Sequence, residues 1–159
     1  HTICIQNMAG TSFNDDRRSL LIWQISNLWQ SRLRKVFKNK NLNFNEYLIL
    51  ETLFVLSKKN SDLSISQKDI SNNSSIDNSV VSSKILILEK KNFIYKFNSQ
   101  DRRSNSIKLT LIGEKLINIL IKDVEKEENL LFEKLGIENE NFLNSLKLIL
   151  GKKIRIKAQ

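Results

Sequence analysis

The chain of 159 residues has no proline, four glycines, one cysteine and one histidine. A single cysteine cannot close a disulfide within the chain, and with the only histidine at position 1, zinc sites and histidine-based catalysis fall away. No nucleophile–base pair, cluster of metal ligands or glycine-rich phosphate loop stands in the sequence, so neither an enzyme nor a metal or other cofactor is expected. No apolar run approaches the ~18 residues of a spanning helix, and no membrane partner is expected. The opening HTICIQNMAG lacks an initiator Met and both the basic start and the apolar centre of a secretory signal. With one cysteine in addition, the expected compartment is the cytoplasm. Residues 1–14 read as a leader or non-native remnant and carry no part of the fold argument. Cys4 lies within them and, without a second cysteine, is a poor candidate for an oxidant sensor.

What is present is a globular balance, 40% hydrophobic and 27% charged, with a net charge of +9. A chain of this length forms one domain by default and buries roughly 68–70% of its unfolded surface without staples. The surplus charge suits a polyanion partner or plain solubility, and composition does not separate the two. Its placement is uneven. Seven basic residues lie between Arg17 and Lys40, and five basic residues with no acid lie from Lys147 to the end. Between Leu111 and Ser145, eight acids face four lysines. Abundant Asn, Lys and Ile also fit an AT-rich coding bias.

The periodicity is mostly helical with one β-hairpin. Ile22, Ile25, Trp29, Leu33 and Val36 form one stripe on a helix over 17–38, long enough to leave apolar surface for a second chain. Asn43 with Glu46 makes a capping box for a helix to about Leu56. Ser66, with Asp69 three residues on, caps a short helix that Gln67 opens. Asp77 caps the next, 78–91, which turns Val81, Ile85 and Leu88 inward and is ended by a left-handed Asn92. FIYKF and SIKLT alternate as strands around a polar turn carrying Asp101, Arg102 and Arg103. A long helix then runs from Thr110 to about Leu135 with Leu116, Leu120, Val124 and Leu131 on one stripe, and a last helix covers about 139–150.

Helix, helix, short helix, polar-faced helix, basic hairpin is the layout of a winged helix-turn-helix. A helix whose first turns are small and polar fits the ~12 Å major groove, and a basic hairpin beside it reaches the flanking backbone or minor groove. The candidate DNA contacts are Asn78, Ser79, Ser82 and Ser83 on the polar face, Lys84 beside them, Gln67 as a phosphate donor, and Asp101, Arg102 and Arg103 at the hairpin tip.

The run DRRSNSIKLTLIG, residues 101–113, resembles the wing signature of the multiple-antibiotic-resistance regulator (MarR) family in Asp101, Arg103, Leu109, Thr110 and Gly113. LNFNEYLIL, SISQKDI and IDNSVVSSKILILEKKNFI resemble the family's preceding helices and first wing strand, and GIENENF its link to the last helix, so the likeness spans about 17–150. The resemblance implies a mainly α fold with a small hairpin: a single winged-helix unit over 15–159, with dimerisation helices at about 17–38 and 110–152 and a DNA-binding lobe at about 43–109. It implies a homodimeric repressor on a pseudo-palindromic duplex site, with Arg103 in a minor groove and Asp101 orienting it. It also implies a small-molecule effector, often an aromatic acid or phenol, whose pocket the sequence does not fix. Trp23, Trp29 and Phe37 are candidates for its wall, although core or dimer packing is the simpler account of them. Ser83, Lys84 and Ile87 depart from the family's usual arginine and apolar positions, shifting readout toward the wing, Lys84 and A·T-rich shape. The alternative is a winged-helix protein-interaction module whose charge is compositional.

Overall fold

The computed structural model describes residues 16–59, 64–97 and 106–154. Six α-helices and a two-stranded sheet follow one another as α1 (Arg18–Phe37), α2 (Phe44–Lys59), α3 (Gln67–Ser74), α4 (Asn78–Lys90), β1 (Ile94–Phe97), β2 (Ser106–Leu109), α5 (Leu111–Phe132) and α6 (Asn139–Ile149), with a 3₁₀ segment, Glu133–Glu138, between the last two. This is a winged helix-turn-helix unit flanked by long helices. No helix among the described residues is long and apolar enough to cross a membrane.

α2 forms the centre, burying Tyr47, Ile49, Leu50, Leu53 and Leu56. Ile70 of α3, the Val81, Ile85 and Leu88 stripe of α4, and Ile94 and Ile107 of the strands close over it from one side. Leu33 and Phe37 of α1 and Ile117, Leu120 and Val124 of α5 close over it from the other. The strands pair antiparallel, with Ile94 opposite Leu109 and Phe97 opposite Ser106. The Ile107 amide donates to the Ile65 carbonyl at 2.8 Å, which fixes the hairpin to the segment leading into α3.

Short-range hydrogen bonds set most boundaries. Asn43 Oδ1 accepts from the Glu46 amide at 2.9 Å while the Glu46 carboxylate accepts from the Asn43 amide, the reciprocal box that its spacing predicts. Asn92 has φ 60° and ends α4 in the left-handed region. At the start of α5, Thr110 Oγ1 accepts from the Gly113 amide at 2.9 Å and donates to the Asn92 carbonyl at 2.7 Å. A Cβ on Gly113 would overlap the Phe93 carbonyl, so α5 and the end of α4 approach here only through a glycine. The Leu-Thr and Gly of the wing motif thus have an architectural role, joining hairpin to helix.

Two boundaries and one buried stripe differ from the periodicity. α2 continues to Lys59, where Lys58 pairs with Glu114 at 3.0 Å. α5 stops at Phe132, because Gly136 has φ 51° and ψ −123° and no helix passes through that conformation. Its inward stripe is Gly113, Ile117, Leu120 and Val124, which includes Ile117 and leaves Leu116 and Leu131 on the flank.

Candidate nucleic-acid interface

α3 and α4 are joined by a turn that the sequence closes with serines. The Ser66 hydroxyl accepts from the Asp69 amide at 3.2 Å, and the Asp69 carboxylate accepts from the Ser66 amide at 2.8 Å. Ser75 takes φ 61°, a conformation most easily held by glycine, and its amide donates to the Ser71 carbonyl. The Ser71 hydroxyl donates to the Ile76 carbonyl at 2.7 Å, so side chains supply the hydrogen bonds that the tight turn takes from the backbone.

The turn sets α4 with Val81, Ile85 and Leu88 buried and Asn78, Ser79, Ser82 and Ser83 exposed on one outward face. The face is preset. The Asp77 carboxylate accepts from the Ser79 amide at 2.8 Å and from its hydroxyl at 2.6 Å, and the Ser79 hydroxyl, with the amide, holds the Asp77 carboxyl below the usual carboxylate range. Ser83 Oγ donates to the Val80 carbonyl at 2.8 Å. With their protons engaged, the hydroxyls of Ser79 and Ser83 face outward as acceptors.

Two expected contacts are placed differently. Gln67 Nε2 donates to the Asn78 carbonyl at 3.1 Å and to Asn78 Oδ1 at 3.2 Å, so Gln67 positions Asn78 instead of projecting outward. Lys84 is half-buried on the flank of the inward stripe, with its ammonium 3.8 Å from the carboxylate of Glu46. Glu46, 3% exposed, also accepts from Lys91 Nζ at 2.8 Å and so draws Lys84 of α4 and Lys91 at its C-terminal end toward α2. Lys84 is therefore not part of the exposed face. Lys68, exposed beside Gln67 on α3, is a cation that the sequence reading did not single out.

The hairpin lies beside α4. Lys96 pairs with Glu89 at 3.7 Å, and Lys108 stands 4.6 Å from the centre of the Phe97 ring. Asp101, Arg102 and Arg103 fall in 98–105, outside the described residues; the Phe97–Ser106 pair fixes where that segment leaves and rejoins the strands.

A second feature lies along the N-terminal half of α2. A cleft of about 430 Å³ opens between α1, α2 and α5, with Trp29, Phe44 and Phe132 in its wall and Tyr47, Glu51 and Glu128 as its polar groups. Burial, then the Glu51 charge, pushes the Tyr47 phenol far up, and burial raises the Glu51 carboxyl above the usual carboxylate range. Of the aromatics expected here, Trp29 lines the cleft, Phe37 is buried and stacks on Tyr47 with ring centres 4.8 Å apart, and Trp23 is 65% exposed. The missed residues carry a faint signal: Glu51 lies one turn after Tyr47, a carboxylate on the inward side of an otherwise apolar helix. Among the described residues no group of three or more His, Cys, Asp or Glu could hold a metal ion.

No protein-family model and no curated relative matches the chain. Solved structures do. The DNA complex of Staphylococcus aureus MepR is similar with a TM-score of 0.75 and 22% identity, over 87% of this chain and 98% of that one. A MarR-family transcriptional regulator from Rhodococcus sp. has a TM-score of 0.76 at 15% identity, over 91% and 100%. Bordetella bronchiseptica BpsR, whose DNA binding 6-hydroxynicotinic acid regulates, has 0.74 at 16%, over 91% and 99%. The chain has the winged helix-turn-helix fold of these regulators along nearly their whole length.

Proposed function

We propose that the chain is a homodimeric, ligand-responsive transcriptional repressor of the MarR type, acting in the cytoplasm on a pseudo-palindromic duplex site. The observation that carries this reading is the preset outward face of α4. A helix buried on one side by Val81, Ile85 and Leu88 presents Asn78, Ser79, Ser82 and Ser83 on the other, with a basic hairpin alongside. The full-length likeness in fold to MepR bound to DNA supports it.

In this reading α4 enters the major groove, and Arg103, oriented by Asp101, enters the neighbouring minor groove, with Arg102 on the backbone. Self-association is supported by the apolar surface of the terminal helices. Leu21, Ile22, Trp23 and Ile25 on α1, and Ile149 of α6 with Leu150 just after it, are exposed. A lone soluble chain seldom leaves that much apolar surface open. Two-fold symmetry then sets half-sites one turn, ~34–36 Å, apart. The small-molecule response is supported by the cleft between α1, α2 and α5 and by the effector of BpsR.

The decisive experiment is selection of bound sequences from random duplexes by the purified dimer. The expected result is a two-fold motif, with Arg103→Ala weakening binding to it by ~1–3 kcal/mol. A folded dimer that enriches nothing and shifts no duplex at low salt overturns the reading in favour of a protein-interaction module.

A further inference from the structure

A single exposed leucine is ordinary on a protein surface, so only its position can give it meaning. Leu86, 52% exposed, lies three residues after Ser83 and seven after Ser79, the spacing that sets side chains one above another along a helix. It faces away from the buried stripe of Val81, Ile85 and Leu88. Ser79, Ser83, Leu86 and Lys90 thus form the outermost line of α4, and all four are exposed. The polar members of this face are already committed. Ser79 gives its proton to Asp77 and Ser83 gives its proton to the Val80 carbonyl, so both hydroxyls offer lone pairs outward. Asn78 Oδ1 accepts from Gln67 Nε2, which leaves the Asn78 Nδ2 to donate. α4 contains no arginine, and its Lys84 is drawn toward Glu46 at 3.8 Å. The bidentate arginine–guanine pair, the commonest specific contact in a major groove, therefore has no source on this helix.

We propose that Leu86 is a specificity-determining residue that reads the 5-methyl group of a thymine in each half-site. The inference rests on the regulator reading and adds to it a base that the helix selects. Of the four bases, thymine alone shows an apolar group in the major groove, and the minor groove shows none. The serines of the first turns are short, so the helix can sit deep. At ~1.5 Å per residue, Leu86 lies ~10 Å along the axis from Ser79, about three base-pair steps of ~3.4 Å, within one stretch of groove. Pressed against the polar edge of another base, a leucine would strip water from donors and acceptors without replacing their hydrogen bonds. Against a thymine methyl, both partners shed water from apolar surface, which is favourable. Leu86 thus discriminates twice, by favouring thymine and by penalising a polar edge.

The test uses the full chain and the duplex recovered by selection. Each thymine of the half-site is replaced in turn by deoxyuridine, symmetrically in both half-sites, and affinity is read by fluorescence anisotropy. The change deletes a methyl group from the major groove and leaves base pairing and the minor-groove edge, where the hairpin is proposed to reach, as they were. At one thymine position the parent chain should bind about fifteenfold more weakly, roughly fourfold for each of the two methyl groups at ~0.8 kcal/mol apiece. Leu86→Ala should bind the thymine and uracil duplexes with equal affinity, no tighter than the parent binds the uracil duplex. An exposed leucine adds little to stability, so the urea midpoint of Leu86→Ala should match the parent's and show that the lost affinity is not lost fold. Three results overturn the assignment: a selected motif with no thymine in its half-site, uracil duplexes bound as tightly as the thymine duplex at every position, or a uracil penalty that survives Leu86→Ala unchanged. A chain that selects and shifts no duplex fails the regulator reading and takes this assignment with it. A chain that binds the selected duplex with no difference between thymine and uracil fails on Leu86 alone.

Discussion

Gly113 is the residue whose replacement should do most harm for its size. One added methyl group at the start of α5 meets the Phe93 carbonyl, a backbone atom that also accepts from the Thr110 amide at 3.0 Å and cannot swing aside. Gly113→Ala should therefore lower stability by ~1–3 kcal/mol, the usual cost of overpacking, read as a shift in the urea midpoint. Glu51 makes the opposite case. Its carboxyl is raised in the fold, chiefly by burial, so the folded chain keeps a proton to higher pH than the unfolded chain does. Stability tied to this group falls as pH climbs from the ordinary carboxylate range through the raised value, and it stays lower above it. Glu51→Gln should raise the melting temperature near pH ~7 and leave it unchanged near pH ~3, where both states are protonated. Equal gains at both pH values would remove burial of charge as the cause.

Among the elements, α4 is tied to α2 by one carboxylate in addition to its buried Val81, Ile85 and Leu88 stripe. Glu46 sits at the start of α2 and receives Lys91 at 2.8 Å and Lys84 at 3.8 Å, so one side chain caps one helix and anchors another. Glu46→Ala removes the cap acceptor and the charge-assisted bond together and should cost about 2–3 kcal/mol in urea unfolding. The freed lysines reach solvent readily, so the loss should stay below that of a sealed ion pair. The anchor also shows why the sequence discloses some features and hides others. The caps at Asn43, Ser66 and Asp77 and the left-handed Asn92 are legible because each is settled within a few residues by a local hydrogen bond or backbone angle. The direction of Lys84 is not legible, because its partner lies far away in the sequence and Lys84 looks like a neighbour of the polar face until α2 is packed beside it. The Gln67–Asn78 bond and the Glu51 cleft are hidden for the same reason: both arise between elements. The early end of α5 is a third kind of case, since Gly136 stands in plain view but its ψ of −123° does not.

At the scale of the whole molecule, charge is segregated along the chain. The stretch Leu111–Ser145, spanning α5 and most of α6, carries an excess of acids, whereas the lobe bearing α3, α4 and the hairpin has the basic side chains Lys68, Lys90, Lys96 and Lys108 and the arginine pair Arg102 and Arg103. In the proposed complex it is the basic side chains of this lobe that would draw in a duplex, whereas the basic residues of 17–40 and of the C-terminal stretch lie outside it. If the dimer neutralises ~6–10 phosphates, its affinity should fall ~10³–10⁵-fold between ~50 and ~200 mM salt. A flat response in a fluorescence-anisotropy titration would show that the basic surplus does not touch the backbone.

α6 buries no residue within its own chain, and Ile137 at its approach is 94% exposed. The bend at Gly136, with the Phe132 and Phe142 rings 5.8 Å apart across it, sets where this arm points. In the proposed dimer, clasp and reading head are thus separate parts, joined by α5. Mispairing with a foreign subunit would then be judged by the fit of the arms, with no regard to what the heads recognise. Under that reading, evolution is free to retune the operator without breaking up the couple.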